Sequence, residues 1–302
     1  MGRGWTMTQV SILNLGAGVQ STTLYLMFAQ NFWADQKGEC RPWPDLGLVD
    51  CAIFADTGDE PRAVYKHLEW LESLNGPPIL RRSRGRLSDD LMRGENSTGR
   101  RCSSIPAYTL MPVKDEEDGT GRTKRQCSKE YKVEVIERAI RREILGLQPR
   151  QRVPKKVNLT QFVGISLDES GRFARLAKRR TLGTMRAPLI ERFMTRQACL
   201  IWLKEYGNVP HEVPRSACTF CPFHSDEEWL RIKSDPKDWA SALAVDEALR
   251  TPGTIVNRNM DAAMFLHRSC KPLVQIEFSS REKDTRQGEI PFWRECLGVC
   301  GL

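Results

Sequence analysis

Three cysteines in this 302-residue chain have the spacing of metal or redox ligands. Cys218 and Cys221 form a C-x-x-C-P element, which lets two thiolates meet one metal ion or iron–sulfur cluster. Cys127 lies far earlier in the chain and is the expected third ligand. Two alternatives stay open: a zinc site made of the same residues with His224, or simple buried thiols. Ten cysteines without a secretion signal argue against a disulfide framework and for metal or redox chemistry.

A second chemical feature is the turn Gly16-Ala17-Gly18-Val19-Gln20-Ser21-Thr22, placed between an apolar strand and a helical stretch. Glycines let the backbone approach a phosphate closely, the helix N-terminus adds partial positive charge, and Ser21 and Thr22 add hydroxyls. No lysine follows as in a Walker loop, and Ser21 stands where a dinucleotide fingerprint needs its third glycine. A plain tight turn is the remaining alternative.

The elements that must position these residues alternate between strand and helix. Val10–Leu15 and Cys51–Ala55 are predicted buried strands, and the second ends at Asp56-Thr57-Gly58. A helix follows, with Val64, Leu68 and Leu71 on one face. Further predicted elements are a strand at 79–80, a helix over 131–145, a strand over 159–165 and a helix over 195–206. This order predicts an α/β fold with a parallel sheet flanked by helices.

The composition changes after about residue 207, where a helical region begins. We expect a nucleotide-binding domain over 1–207 and a helical C-terminal appendage over 208–302, which carries the C-x-x-C and a C-x-x-x-C. Ser225 and Glu228 form a capping-box signature at the start of one of its helices. Residues 93–125 lack periodicity and are expected to form a mobile lid or binding loop.

The charge of the chain is unevenly spread. Residues 81–196 hold 28 basic and 14 acidic side chains, whereas the whole chain has a net charge of +8. This surplus favours an anionic partner such as a nucleotide, sulfate or nucleic acid, although a solvated basic face would look the same. No apolar run is long enough to span a membrane, and the first ten residues have no signal-peptide core, so we expect a cytoplasmic protein without a membrane partner.

Four segments resemble the PP-loop family that includes phosphoadenosine phosphosulfate (PAPS) reductases. Gly16–Ser21 is similar to the S-G-G-x-D-[ST] loop, with Gln20 at the place where PAPS reductases often carry glutamine. The stretch 53–60 looks like the family's D-T-G element, and 164–172 resembles its G-[IL]-R-x-[DE]-[ED]-S-x-x-R segment. Pro188-Leu189-Ile190 resembles the P-L-I stretch before a helix.

The resemblance, which covers roughly residues 10–225, implies an adenine nucleotide alpha-hydrolase-like fold. It also implies that ATP, PAPS or adenylylsulfate binds together with Mg²⁺. The residues implied to bind the nucleotide are Gly16, Ala17, Gly18, Gln20, Ser21, Thr22, Asp56, Thr57, Gly58, Asp168 and Arg172.

The cysteines carry a further resemblance. The segment 127–132, C-S-K-E-Y-K, looks like the C-C-x-x-R-K element of iron–sulfur adenylylsulfate reductases, with Ser128 replacing one ligand. Cys296 or Cys300 could fill the gap, with Cys300 the assigned metal candidate, whereas related tRNA thiolases use three cysteines and leave one iron open. The implied cofactor is a [4Fe–4S] cluster. Cys296 resembles the catalytic cysteine near the C-terminus of PAPS reductases, and Cys296 and Lys132 are the candidate catalytic residues.

Three functions are compatible with these features. The first is ATP-dependent activation of a nucleic acid, tRNA or DNA, followed by sulfur transfer from a donor protein. The second is reduction of PAPS or adenylylsulfate to sulfite with a thiol reductant protein. The third is a non-catalytic nucleic-acid-binding module with structural zinc. Outside these sites, Trp202, Trp229 and Trp239 are expected in the core, His267 is expected to have a packing role, and His67 is placed on the exposed side of its helix without a role.

Overall fold

The fold is built around a parallel sheet in a computed structural model that describes residues 9–34, 40–42, 47–95, 99, 105–110, 120–154, 157–177, 182–251 and 263–279. The strands in chain order are β1 (Val10–Leu15), β2 (Phe32–Ala34), β3 (Cys40–Pro42), β4 (Cys51–Asp56), β5 (Ile79–Ser83), β6 (Tyr108–Leu110), β7 (Thr120–Arg122), β8 (Leu159–Val163), β9 (Thr184–Arg186) and β10 (Met264–Phe265).

The helices alternate with the strands of this sheet and then dominate the C-terminal part. They are α1 (Val19–Gln30), α2 (Arg62–Glu72), α3 (Leu87–Arg93), α4 (Glu134–Ala139), α5 (Ser170–Ala177), α6 (Pro188–Glu191), α7 (Arg196–Glu205), α8 (Asp226–Ser234) and α9 (Pro236–Arg250). Two π-helical turns, Lys129–Val133 and Ile140–Ile144, flank α4. None of the helices in the described ranges has the length and apolar character of a membrane span.

The central sheet has five parallel strands in the order β5-β4-β1-β8-β9. Strand β1 is in the middle, pairs with β4 and β8, and is buried along its whole length. Helices α1, α2 and α7 pack on one face, and α4 with its second π-turn packs on the other. Both faces are therefore covered, as parallel sheets require, and the predicted α/β class is confirmed.

The C-terminal region shares a second core with the middle of the chain. Phe220, Trp229 and Val245 pack against Leu87 and Tyr131, so apolar side chains from both sides of residue 207 form one cluster. The predicted division into 1–207 and 208–302 stays a prediction. The small antiparallel sheet β10-β6-β7 likewise joins a C-terminal strand to the region that precedes α4.

Local capping follows the sequence. Thr195 accepts a hydrogen bond from the backbone N–H of Ala198 at the start of α7. Ser225 accepts one from the backbone N–H of Glu228 at the start of α8, as its capping-box signature predicts. Such caps satisfy N–H groups that have no partner inside the helix. Of the tryptophans predicted in the core, Trp202 and Trp229 are buried, and Trp239 is partly buried beside the second core.

Candidate functional site

The glycine turn lies at the carboxyl end of the central strand. Leu15 ends β1, and Val19 begins α1 three residues after Gly16. Ala17 has φ +55°, a left-handed conformation that is unusual outside glycine. Gly18 is extended, with φ −103° and ψ 179°, and its N–H donates to Ser21 Oγ at 3.2 Å. The predicted strand–turn–helix arrangement is thus present, with the turn at the sheet edge where ligands of parallel sheets bind.

Gln20 connects this turn to two other segments. Its side chain is buried, and its Nε2 donates to Ser166 Oγ at 3.4 Å and to Glu169 Oε2 at 3.2 Å. Arg196 Nη1 donates to Gln20 Oε1 at 3.0 Å. Gln20 therefore holds the start of α1 against the turn after β8 and the start of α7.

The segment after β8 carries two of the predicted nucleotide residues. Arg172 Nη1 donates to Glu169 Oε1 at 3.1 Å, while Asp168 accepts the backbone N–H of Arg196. Burial lowers the pKa of the Arg172 guanidinium, Glu169 raises it, and the nearby charges of Arg125 and Arg175 lower it again. An arginine stays charged in proteins. Arg172 is therefore a partly buried cation with other guanidinium groups close to it.

A glycine makes the contact between these segments possible. A Cβ atom at Gly164, directly after β8, would lie 2.6 Å from Ser21 Cα and 2.7 Å from Ser21 N. No real side chain fits at that distance, so only glycine lets the end of β8 touch the start of α1.

The position of His67 corrects a prediction. His67 was expected on the exposed side of α2 and without a role, but it is fully buried. Its Nε2 lies 2.9 Å from Thr22 Oγ1, and its Nδ1 lies 2.8 Å from His211 Nε2. The contact with Thr22 engages a hydroxyl that we expected at the nucleotide. Burial and the neighbouring His211 lower the pKa of His67 to about 3.

The Asp56-Thr57-Gly58 turn ends β4, the strand beside β1. Asp56 Oδ1 accepts the N–H of Gly58 at 2.7 Å and the hydroxyl of Tyr65 at 2.8 Å. Gly58 has φ +76°, which glycine adopts without strain. Because β1 and β4 are adjacent and parallel, this turn and the glycine turn lie at the same edge of the sheet.

The three predicted cysteines converge on one pocket. Cys127, Cys218 and Cys221 line one cleft, together with Thr57, Leu87, Ile105, Pro106, Arg125, Ser128, Lys132, Phe220 and Pro222. The pocket thus combines thiols brought together from segments far apart in sequence, two cations and several apolar side chains.

Each of the three sulfur atoms has a hydrogen-bond partner. The backbone N–H of Ser128 donates to Cys127, and that of Phe223 donates to Cys221. Thr57 Oγ1 lies 3.4 Å from Cys218 Sγ. Burial raises the pKa of all three thiols, to about 11 for Cys127, although Lys132 lowers each of them. The thiols are therefore protonated at neutral pH, and a metal that binds them must displace protons.

Lys132 forms a buried ion pair beneath the thiols. Its Nζ lies 2.9 Å from Glu60 Oε1, and Glu60 also accepts the hydroxyl of Ser216 at 3.1 Å. Glu60 is 2% exposed and Lys132 is 7% exposed. Burial lowers the pKa of Lys132, but the Glu60 carboxylate together with Cys218 and Cys127 outweighs burial, so the net shift of this pKa is upward. The ammonium therefore stays charged next to Cys127 and Cys218.

The metal prediction is only partly addressed by this geometry. Among the described residues, no group of three or more His, Cys, Asp or Glu side chains is arranged to hold a metal ion. The thiols thus share a pocket without surrounding one ion as closely as zinc requires. His224 is not among the residues that line this pocket; its Nε2 lies 2.8 Å from the Cys218 carbonyl oxygen, and its Nδ1 lies 3.9 Å from Glu228 Oε2. Cys296 and Cys300 lie outside the described residues.

Two residues at this site were not predicted from the sequence. Glu60 was only the last residue of the stretch 53–60, without a role of its own, yet it holds Lys132 at the cysteine pocket. Arg125 was one basic residue among many, yet it lines that pocket. The signal for Glu60 was its position four residues after Asp56, inside the D-T-G segment; Arg125 had no individual signal.

No protein-family model, curated protein or solved structure matches this chain.

Proposed function

We propose that this chain is an adenine-nucleotide-dependent enzyme of sulfur chemistry, of the PP-loop, PAPS reductase-like kind. It binds ATP with Mg²⁺ at the glycine turn and activates an oxygen of a nucleic-acid acceptor. It then transfers sulfur to that position from the cysteine pocket. The acceptor oxygen attacks the α-phosphorus of ATP and pyrophosphate leaves; sulfide then displaces AMP from the acceptor.

The observation that carries the proposal is the contact between Thr57 and Cys218. Thr57 belongs to the turn that ends β4, at the sheet edge where the glycine turn ends β1. Its hydroxyl lies 3.4 Å from Cys218 Sγ. A nucleotide held at that edge and a sulfur atom held in the pocket would therefore be neighbours, which an activation step followed by a transfer step requires.

The glycine turn supports the nucleotide half of the proposal. Ala17 in the left-handed conformation beside the extended Gly18 suits a concave group of backbone N–H donors. The N-terminus of α1 adds partial positive charge for phosphate oxygens. Arg172 and Arg196, both tied to the Gln20 network, add fixed positive charge near the same edge. Asp56 and Asp168 are the carboxylates available there to share Mg²⁺ with the phosphates.

The cysteine pocket supports the sulfur half. Cys127, Cys218 and Cys221 line one pocket beside the cations Arg125 and Lys132, and cysteine thiolates are the ligands that iron–sulfur clusters use. Cys127, Cys218 and Cys221 would hold the cluster, whereas Cys300 as a fourth ligand would favour the reduction reaction or a structural role instead. A cluster held by three cysteines would supply an open iron for sulfide. Lys132, fixed by Glu60, holds positive charge beside the bound sulfur.

Reduction of PAPS or adenylylsulfate remains the second candidate, because one observation favours it. Gln20 is fully engaged by Ser166, Glu169 and Arg196 at the position where the PP-loop pattern has aspartate. The turn therefore lacks the loop carboxylate that would assist cleavage of ATP. This reaction would need Cys296 as nucleophile and a thiol reductant protein.

The test is anaerobic reconstitution with iron and sulfide, followed by incubation with ATP and cellular RNA or DNA. The proposal expects formation of AMP and pyrophosphate that depends on the nucleic acid, and incorporation of labelled sulfur into it. Cys127→Ser should abolish incorporation while ATP binding is kept. Sulfite formation from PAPS with a thiol reductant would establish the second candidate instead. A protein that binds nucleic acid and zinc but turns over neither nucleotide would establish the non-catalytic module.

A further inference from the structure

Arginines and aromatic rings border the cysteine pocket and form what we term the arginine–aromatic rim: Tyr108, Arg122, Arg125, Arg215 and Phe223. The guanidinium carbons of Arg122 and Arg125 lie 5.2 and 5.8 Å from the centre of the Phe223 ring. Both arginines are exposed. Two guanidinium groups thus lie over one aromatic ring and interact with it as cation–π pairs. Their positive charge also attracts anions from solvent.

Secondary structure and backbone contacts fix the rim. Tyr108 on β6 stands directly opposite Arg122 on β7 in the antiparallel ladder, and the two side chains form a hydrogen bond. Arg215 Nη2 donates to the carbonyl oxygen of Phe223 at 2.8 Å. The rim is therefore built from a strand pair and from the segment that follows the C-x-x-C, rather than from independent surface side chains.

The rim is continuous with the pocket. Arg125 lines the pocket beside Cys127 and Cys221. The backbone N–H of Phe223 donates to the sulfur of Cys221. On its other side Arg125 is close enough to Arg172 to lower the pKa of that guanidinium, and Arg172 bonds the Glu169 carboxylate that holds Gln20. Positive charge therefore runs from the glycine-turn network past the thiols to the rim.

We infer that the arginine–aromatic rim binds an unpaired segment of nucleic acid and presents one of its bases to the cysteine pocket. Phosphates contact Arg122 and Arg125, and a base stacks on the guanidinium planes that Phe223 supports. Unpaired bases are recognised by stacking on aromatic and guanidinium planes, whereas paired bases are not accessible in this way. The inference rests on the proposed function, since it assigns the acceptor of that reaction.

An acidic protein is the competing occupant, because carboxylates would also contact the arginines. The aromatic rings distinguish the two: carboxylates gain nothing from a stacked plane, whereas bases do. The rim offers such planes from Phe223 and Tyr108 beside its cations, which favours nucleic acid.

The test is fluorescence anisotropy of a labelled single-stranded oligonucleotide, its blunt duplex, and polyglutamate as competitor, all without ATP. Arg122→Gln/Arg125→Gln should weaken single-strand binding about tenfold or more and reduce its salt dependence by about 1.4 in log–log slope. Phe223→Leu keeps the backbone donor to Cys221 and should weaken the single strand about tenfold while duplex binding is unchanged. The matched control is Arg138→Gln/Arg152→Gln, two exposed arginines of the same basic region that do not line the pocket.

Equal weakening by the control pair would overturn the inference, because binding would then be general charge attraction. Equal binding of single strand and duplex would overturn the assignment to an unpaired segment, because phosphates alone would then account for binding. Full competition by polyglutamate with no effect of Phe223→Leu would assign the rim to an acidic protein. Thermal unfolding of each variant shows whether its fold is intact. The binding measurements contain no ATP and so do not depend on turnover. If the reconstituted protein does not turn over ATP but the rim variants still weaken single-strand binding, the proposed function fails and the rim inference stands.

Discussion

At the scale of single residues, the Glu60–Lys132 pair is where we expect the largest effect of a small change. Glu60→Gln removes the carboxylate that compensates a buried ammonium. Breaking a buried ion pair by removing one partner costs about 3–5 kcal/mol, because the other charge is left uncompensated. Urea denaturation of the wild type and the variant at neutral pH measures this difference in the free energy of unfolding.

The matched control is the double variant Glu60→Gln/Lys132→Met, which also removes the buried ammonium. We expect it to recover much of the stability that Glu60→Gln loses, since a neutral side chain needs no carboxylate beside it. Glu60 also accepts hydrogen bonds from the hydroxyls of Ser216 at 3.1 Å and Thr57 at 3.5 Å. If the double variant is as unstable as the single one, the loss comes from these two contacts, and the ion pair is not the cause.

His67 predicts a dependence of stability on pH. Its pKa is lowered from 6.5 to about 3 in the folded protein. In the unfolded chain His67 becomes protonated below pH 6.5, whereas in the folded protein it becomes protonated only near pH 3. Above pH 6.5 His67 does not reduce the free energy of unfolding. Below pH 6.5 the protonation of His67 in the unfolded chain lowers the free energy of unfolding by about 1.4 kcal/mol per pH unit.

His67→Gln keeps groups that can form hydrogen bonds with Thr22 and His211 but does not titrate. Between pH 6 and pH 4.5 the free energy of unfolding of the variant should therefore fall less steeply than that of the wild type, by about 1.4 kcal/mol per pH unit, which corresponds to one proton. His224, whose pKa is also lowered to about 3, remains in both proteins, so the slope does not vanish. Urea denaturation at several pH values gives the comparison. Identical slopes would show that His67 is not the titrating group.

At the scale of elements, the contact of β8 with α1 depends on Gly164. Gly164→Ala forces the strand end away from Ser21, where the added Cβ would lie 2.6 Å from its Cα. Overpacking of this kind costs about 1–3 kcal/mol, and nucleotide affinity should fall with it because the glycine turn shifts. The control is Gly171→Ala on the exposed side of α5, which should be neutral or slightly stabilising. Calorimetry measures the melting temperatures of both variants. Equal melting temperatures of Gly164→Ala and Gly171→Ala would refute the close contact between β8 and α1.

Elements with a strong local pattern were predictable, and others were not. The apolar runs of β1 and β4 and the face of Val64, Leu68 and Leu71 on α2 appear where the sequence predicts them. The helix predicted over 131–145 starts earlier and contains two π-turns, for which periodicity gives no signal. His67 was misplaced because the segment after α7 covers α2 through His211, a contact between parts distant in sequence.

At the scale of the whole molecule, the convergence of Cys127, Cys218 and Cys221 was the least secure prediction from sequence. The three cysteines line one pocket, and their role as ligands of one metal or cluster stays a prediction. The pocket forms because the region after residue 207 packs its apolar side chains on α3 and Tyr131, a long-range contact. The basic surplus of residues 81–196 is partly neutralised by ion pairs to acidic residues outside that segment, such as Arg81–Glu72, Arg86–Asp59 and Lys132–Glu60. Net charge alone therefore could not identify the rim.

The central claim, that an adenine nucleotide binds at the glycine turn, is tested most directly by thermal unfolding with ATP or PAPS in wild type and Gly18→Val. Gly18 has φ −103°, which valine also adopts, so the variant should fold while its side chain blocks phosphate approach. At about 100 times the dissociation constant, the wild type should gain about 2.7 kcal/mol, and Gly18→Val should gain nothing. An equal gain in both proteins would contradict the account, because the nucleotide would then bind elsewhere.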